Sequence, residues 1–246
     1  MIQSPITRVL SSMQKNGVDC LLMGGQACIL YGGAEFSRDI DFVLHISAEN
    51  IANLKQAIKE LEAECIAVPP FKISYLQKGH AIHFRCQGTG VEQLRIDVMS
   101  RLPSLDSFEL LWSRRTSIDL GEFQIEILSL PDLIAAKRTQ RDKDWLMTNR
   151  LVEAHYLENK ETPTRDQIIF WLTESYDLEL LAQWVTQYPE EAAQVAKGRN
   201  AIDELLKTHP EQAQHALDND KDAIIKKDQK YWMPLKKELG ELRRKK

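Results

Sequence analysis

The chain has 246 residues, enough for one large domain or two modest ones at about 150 residues per domain. A hydrophobic fraction of 43%, a charged fraction of 28% and only 11 Gly and 9 Pro exclude the disordered, collagenous and low-complexity classes. The net charge of -4, from 32 basic and 36 acidic residues, argues against a surface-wide nucleic-acid binder and leaves room only for a local basic patch.

Apolar side chains at helical spacing over residues 3–16, closed by Asn16-Gly17, predict a first helix. Residues 19–23 form a short apolar run ended by Gly24-Gly25, a buried strand entering a turn, and residues 26–31 a short helix closed by Gly32-Gly33. A second strand is predicted at 40–46. Ser47 then caps a helix over 48–63, with Ile51, Leu54, Ile58 and Leu61 as its apolar stripe. After Pro69-Pro70 the pattern alternates and predicts strands at 71–76, 80–86 and 92–99, the last two joined by the loop Gln87-Gly88-Thr89-Gly90. One more strand is predicted at 123–128, and Ser129-Leu130-Pro131-Asp132 opens a helix with Pro just inside it.

Beyond that point only helical patterns follow, at 170–188, 190–206 and 209–226. Residues 227–246 carry eight basic and three acidic side chains, a local net of +5. The polar segment from Glu158 to Thr164 contains Pro163 and marks a boundary. The expected organisation is an α/β (α+β) core with a mixed sheet over residues 1–158 and an all-helical C-terminal module over 159–246. No apolar run approaches the ~18 residues of a membrane span, and the first residues lack the uninterrupted apolar core of a signal peptide. A soluble, cytoplasmic protein with no membrane partner is therefore expected. Cys20, Cys28, Cys65 and Cys86 form no C-x-x-C pair, so they read as reduced and mostly buried thiols, not a zinc site or a disulfide framework.

The chemistry concentrates at Asp39-Ile40-Asp41, at the start of the second strand. Side chains two apart on a strand share a face, and two adjacent anions are tolerable when a divalent cation sits between them. The same D-x-D spacing at Asp142/Asp144, Asp218/Asp220 and Asp220/Asp222 falls in polar helical surroundings and reads as a solvated face. Gly24-Gly25, between a strand and a helix, offers bare backbone amides to a phosphate. Asp97, inside the apolar strand 92–99, is a carboxylate that needs a partner, whether a cation, Arg95 or backbone donors. His80 and His83 point to opposite faces of one strand, so a metal pair is not expected.

The run Gly24-Gly25-Gln26-Ala27, then Ser37 and Asp39-Ile40-Asp41-Phe42, then the strand aspartate Asp97, resembles the nucleotidyltransferase superfamily that includes DNA polymerase beta. It is more closely similar to bacterial nucleotidyltransferases of the AbiEii and MenT toxin type, over roughly residues 18–150. The resemblance implies a Mg²⁺-dependent enzyme moving a nucleoside monophosphate from an NTP to an acceptor hydroxyl. Asp39, Asp41 and Asp97 would be its catalytic and metal residues, holding two Mg²⁺ or Mn²⁺ ions. Gly24, Gly25, Ser37 and Arg38 would bind the nucleotide. Lys137 and Arg141, i and i+4 in the helix after Pro131, are read as facing the phosphates together; taken alone they would be a solvated face. At the position where relatives often carry an Arg, this chain has Glu35, and Arg38 stands in for it. A tRNA 3′ end is the leading acceptor and a cognate antitoxin a candidate protein partner. An antibiotic or other small alcohol is the competing acceptor, and a catalytically silent nucleotide-binding protein the competing class.

Overall fold

The computed structural model describes residues 4–34, 36–121 and 123–244. They form two compact units. The first draws on the chain up to Leu30, from Ala34 to Ala136 and from Tyr231 onward; the second comprises Tyr31–Gly33 and Lys137–Lys230.

In the first unit, α1 (Pro5–Lys15) starts where the Ser4 hydroxyl accepts the Thr7 amide at 3.2 Å, with Pro5 in its first turn. The buried strand β1 (Cys20–Met23) runs directly into α2 (Gly24–Leu30). Then come β2 (Asp39–Leu44), α3 (Ala48–Glu60), β3 (Ala63–Cys65), α4 (Ile73–Lys78), β4 (Ile82–Cys86), β5 (Arg95–Met99), α5 (Phe108–Ser113), β6 (Thr116–Asp119), β7 (Gln124–Ile127) and α6 (Leu130–Lys137). The seven strands make one sheet in the order β3-β4-β5-β2-β1-β7-β6. Its pairs β2/β5 and β1/β7 are parallel and the other four antiparallel. The mixed α/β class expected from the sequence is the one observed.

Alternation decides what each face of the sheet does. Ile40 on β2, Ile96 on β5 and Phe84 on β4 lie in one cross-strand row and are all but fully buried. Burying such side chains stabilises the fold by about 1.5–3 kcal/mol each. The residues between them, Asp39, Asp41, Arg95, Asp97, His83 and Arg85, therefore project from the opposite face.

Residues 71–76, expected as a strand, instead enter the helix α4. Six residues are too few to separate a period of two from one of 3.6. The ends decide: Gly79 takes φ +101°, and the His80 amide reaches back to the Tyr75 carbonyl at 3.0 Å, closing the segment as a helix. The strands β3 and β6 and the helix α5, none foreseen, are short.

The second unit is helical, with α7 (Asp142–Asn159), α8 (Arg165–Glu174), α9 (Leu178–Gln187), α10 (Pro189–Val195), α11 (Asn200–Leu206) and α12 (Pro210–Arg244), which continues past Lys230 into the first unit. The stretches 170–188 and 190–206 each lie in two helices, because Asp177 caps α9 onto the Leu180 amide and Gly198-Arg199 separates α10 from α11. Tyr156, Trp171 and Trp184 form the aromatic centre, with Tyr156 5.1 Å from each tryptophan ring. The buried Arg199 guanidinium donates to the Leu172 and Ser175 carbonyls at the end of α8. The division expected between residues 158 and 159 falls inside this unit, at the last turn of α7. Among the described residues no helix is long and apolar enough to cross a membrane.

Candidate active site

Because β1 ends at Met23 and α2 starts on the next residue, Gly24 must turn the chain sharply, and its φ of +71° is open to glycine at little cost. The antiparallel β1/β2 register sets Asp41 beside Met23. The Asp41 carboxylate then fills the space next to Gly24, so that a Cβ on Gly24 would overlap it. The same relation recurs one residue on, where a Cβ on Gly25 would overlap the Ser37 hydroxyl. Ser37 Oγ donates to the Asp39 carbonyl at 3.1 Å, and the Ser37 carbonyl accepts from Gln26 Nε2 at 3.0 Å. The glycine pair, the serine and the acid pair are thus packed against one another.

Across the parallel pair, Asp39 stands opposite Arg95 and Asp41 opposite Asp97. Strand β4 adds His83 opposite Asp97 and Arg85 opposite Arg95. Two rows result on one face, Asp41-Asp97-His83 and Asp39-Arg95-Arg85. Asp97 is buried, at 8% exposure. Arg95 forks onto it, donating from Nε to Oδ1 at 2.8 Å and from Nη2 to Oδ2 at 2.6 Å, while His83 Nδ1 lies 2.8 Å from Oδ1. Burial pushes the Asp97 carboxyl up, but His83 and Arg95 outweigh it and hold the group below the usual carboxylate range. Arg95 is in turn raised, first by its hydrogen bond to Asp97 and then by the nearby charges of Asp97, Asp39 and Asp41. Its guanidinium lies 3.8 Å from Asp39.

Hard carboxylate oxygens on one face suit a divalent cation such as Mg²⁺, and Asp39 with Asp41 fits it as a pair. The oxygens of Asp97 are already engaged by Arg95 and His83. Among the described residues no group of three His, Cys, Asp or Glu side chains is placed to hold a metal ion. The cation at the third aspartate is Arg95.

The other expected residues are placed differently. Arg38 is exposed, 5.9 Å from the ring of the exposed Phe36, and Glu35 lies outside the described residues. The single helix expected through Lys137 and Arg141 is broken. Lys137 is the last residue of α6, and Arg141, in extended conformation, is the N-cap of α7, so the two do not share a helical face. Thr139 is the local reason. Its hydroxyl donates to Asp144 at 2.6 Å and its carbonyl accepts Trp145 Nε1 at 2.8 Å, an alternative to continuing the helix. Arg141 Nε joins the same carboxylate at 2.7 Å. His80 and His83 are not a pair: His80 is buried against Glu238 at 2.9 Å, and His83 serves Asp97. Lys236, Lys237, Arg243 and Arg244 are exposed on the last turns of α12.

From the sequence Arg95 is only one possible cap for Asp97, and His83 is weighed only with His80 as a metal pair. Arg95 was legible, two residues from Asp97 on one strand and so on its face. His83 was not, since its place depends on the β4/β5 register.

Among solved structures, the chain is similar to an antigenic nucleotidyltransferase-like protein from Paracoccidioides brasiliensis, at 16% identity over 78% of this chain and 91% of that one, with a TM-score of 0.46. It is also similar to a protein from H. pylori named as a candidate nucleotidyltransferase, at 15% identity over 92% of this chain and 94% of that one, with a TM-score of 0.40. No protein-family model matches the chain. No curated protein matches it.

Proposed function

We propose that the chain is a nucleotidyltransferase that moves a nucleoside monophosphate from an NTP to an acceptor hydroxyl. The observation that carries this reading is the packing of Gly24 on Asp41. It sets a strand-to-helix turn against the carboxylate of Asp41, which shares its strand face with Asp39, and backbone amides beside a carboxylate pair are the combination that a magnesium triphosphate calls for. The amides of Gly24 and Gly25 and the Ser37 hydroxyl take the β- and γ-phosphates, with Arg38 as an outer contact. Mg²⁺ or Mn²⁺ held by Asp39 and Asp41 supplies, when bound, neutralisation of triphosphate charge and a lower pKa for the acceptor hydroxyl.

The acceptor oxygen bonds to the α-phosphorus as the bond to pyrophosphate breaks, and the hydroxyl proton passes to Asp97. A carboxylate held by a guanidinium and a histidine is a poor base, so this step needs Arg95 to release Asp97. A tRNA 3′ end is the acceptor of this reading, with the exposed cations at the end of α12 meeting its backbone; a cognate antitoxin as protein partner belongs to the same reading. The Arg95 fork favours a second reading, a nucleotide-binding protein of the same fold that performs no transfer. Incubation with each labelled NTP, Mg²⁺ and total tRNA, and in parallel with small alcohols including aminoglycosides, separates them. Labelled RNA or a labelled alcohol supports transfer and names the acceptor. Bound NTP without labelled product supports the second reading, and no binding overturns both.

A further inference from the structure

One side of α7 packs inside its own unit, through residues that include Trp145, Leu151, Val152 and Tyr156. That packing leaves two leucines unexplained, because Leu146 and Leu157 are 66% and 54% exposed. A single exposed leucine is ordinary on a protein surface. These two lie eleven residues apart, about three helical turns, and so share one side of the helix. Arg150 and Glu153, both exposed, occupy the turns between them. The steps from 146 to 150, 153 and 157 are four, three and four residues, the spacing of a seam along which one helix packs on another.

The symmetry of the seam defines its occupant. Leucines stand at its ends and opposite charges at its centre, and Leu146 and Arg150 lie as far before the midpoint as Leu157 and Glu153 lie after it. A second copy of α7 laid antiparallel about that midpoint sets Leu146 on Leu157 and Arg150 on Glu153, and two-fold symmetry makes each pairing occur twice. A parallel copy in register would set Arg150 on Arg150 and Glu153 on Glu153, a repulsion that selects against it. Neither of these two charged side chains makes an ion pair or a hydrogen bond among the described residues, so both charges are open to a partner.

We infer that this side of α7 is a docking surface for a second copy of the chain, which forms a two-fold dimer through an antiparallel α7 pair. The helix has 18 residues, about 27 Å of length. A single pair of helices this long lies at the small end of specific interfaces, below about 1,200 Å² in total, so the association is weak and follows concentration. The inference is independent of nucleotidyl transfer.

Sedimentation of the full chain over a concentration series is expected to show a reversible monomer–dimer equilibrium with a Kd in the micromolar range. Leu146→Asp and Leu157→Asp are each expected to weaken it about tenfold or more, since each brings two carboxylates into the apolar ends of the seam. Arg150→Glu and Glu153→Arg are each expected to weaken it about tenfold. Mixed in equal amounts, these last two variants are expected to associate with each other about as tightly as the parent does with itself, because every pairing at the centre is again between opposite charges. All four positions are exposed, so the variants keep the fold, and circular dichroism checks that they do. A chain that stays monomeric throughout the series overturns the inference. So does a dimer indifferent to Leu146→Asp, which would rest on another surface. Failure of the mixed variants to associate overturns it as well, since Arg150 and Glu153 would then not face each other.

Discussion

Gly24 presents a bare α-carbon to the carboxylate of Asp41. Gly24→Ala is therefore burdened twice, by about 1–2 kcal/mol for a left-handed backbone and by about 1–3 kcal/mol for overpacking. Gly121, at φ +84° with nothing within 4 Å of a Cβ, isolates the backbone part. Denaturant melts should show Gly24→Ala losing clearly more stability than Gly121→Ala, together with loss of transfer. Equal losses would mean that Asp41 moves aside freely and that the contact does not define the site.

Asp39→Ala and Asp41→Ala are each expected to abolish transfer without unfolding the chain. Both side chains are only half-buried, and the core row on the opposite face is untouched. Labelled-NTP transfer alongside circular dichroism checks this. Near-normal turnover in either variant would remove that residue from the machinery.

Arg95→Met removes the cation that forks onto Asp97. Hydrogen bonds to charged groups are worth about 1.5–3 kcal/mol, and the lower end applies because the Arg95 side chain remains 38% exposed. A melting temperature lowered in EDTA and recovered by Mg²⁺ more than in the parent protein is the expected signature, since a divalent ion can then take the place of the guanidinium. If Mg²⁺ stabilises parent and variant alike, Arg95 does not stand in the way of a metal.

Much of the site was legible because it is local. Gly24-Gly25, Ser37, Asp39 and Asp41 lie within one strand-turn-helix-strand passage, and strand periodicity alone puts the two acids together. Asp97 could be recognised as a charge in an apolar strand. Its pairing was hidden, since opposing Asp97 to Asp41 on one side and His83 on the other requires the order β4-β5-β2, which no local pattern carries. The break between Lys137 and Arg141 was hidden for another reason. Helical spacing persists in the letters, while the hydrogen bonds of Thr139 and Asp144 that end the helix depend on side-chain geometry. The division into units was hidden likewise, because the last stretch of α12 returns to the first unit through contacts distant in sequence, such as Lys78 with Glu238.

The four thiols should separate by reactivity. Cys20, Cys28 and Cys86 are buried and Cys65 is exposed. Burial pushes the Cys20 thiol up to about 12 and that of Cys86 to about 11, which suppresses the reactive thiolate. A disulfide reagent should titrate one thiol in the native chain and four in denaturant, with Cys65→Ser abolishing the native reaction. A second fast native thiol would contradict the burial.

Acid should loosen the last turns of α12 through Glu238. Its carboxylate accepts from Lys78 Nζ at 2.6 Å and lies 2.9 Å from Nε2 of the buried His80. These two partners, His80 first, hold its pKa below the usual carboxylate value. A depressed folded pKa means that the folded state binds its proton later than the unfolded chain. The contribution to stability is therefore complete above the unfolded value of about 4.3 and is lost as pH falls through the lower folded one. Glu238→Gln keeps the shape and removes the charge, so it should cost about 1.5 kcal/mol near neutral pH, where a hydrogen bond to a charged group is forfeited. The cost should shrink toward zero in acid, so the stability curves of parent and variant converge as pH drops below about 4. Hydrogen exchange over Tyr231–Arg244 should report the same convergence locally, because Leu235 and Tyr231 pack this stretch onto the Gly79 turn beside His80. Parallel curves down to the acid limit would show that Glu238 gains nothing from His80 and Lys78. The end of α12 would then be held by Tyr231 and Leu235 alone.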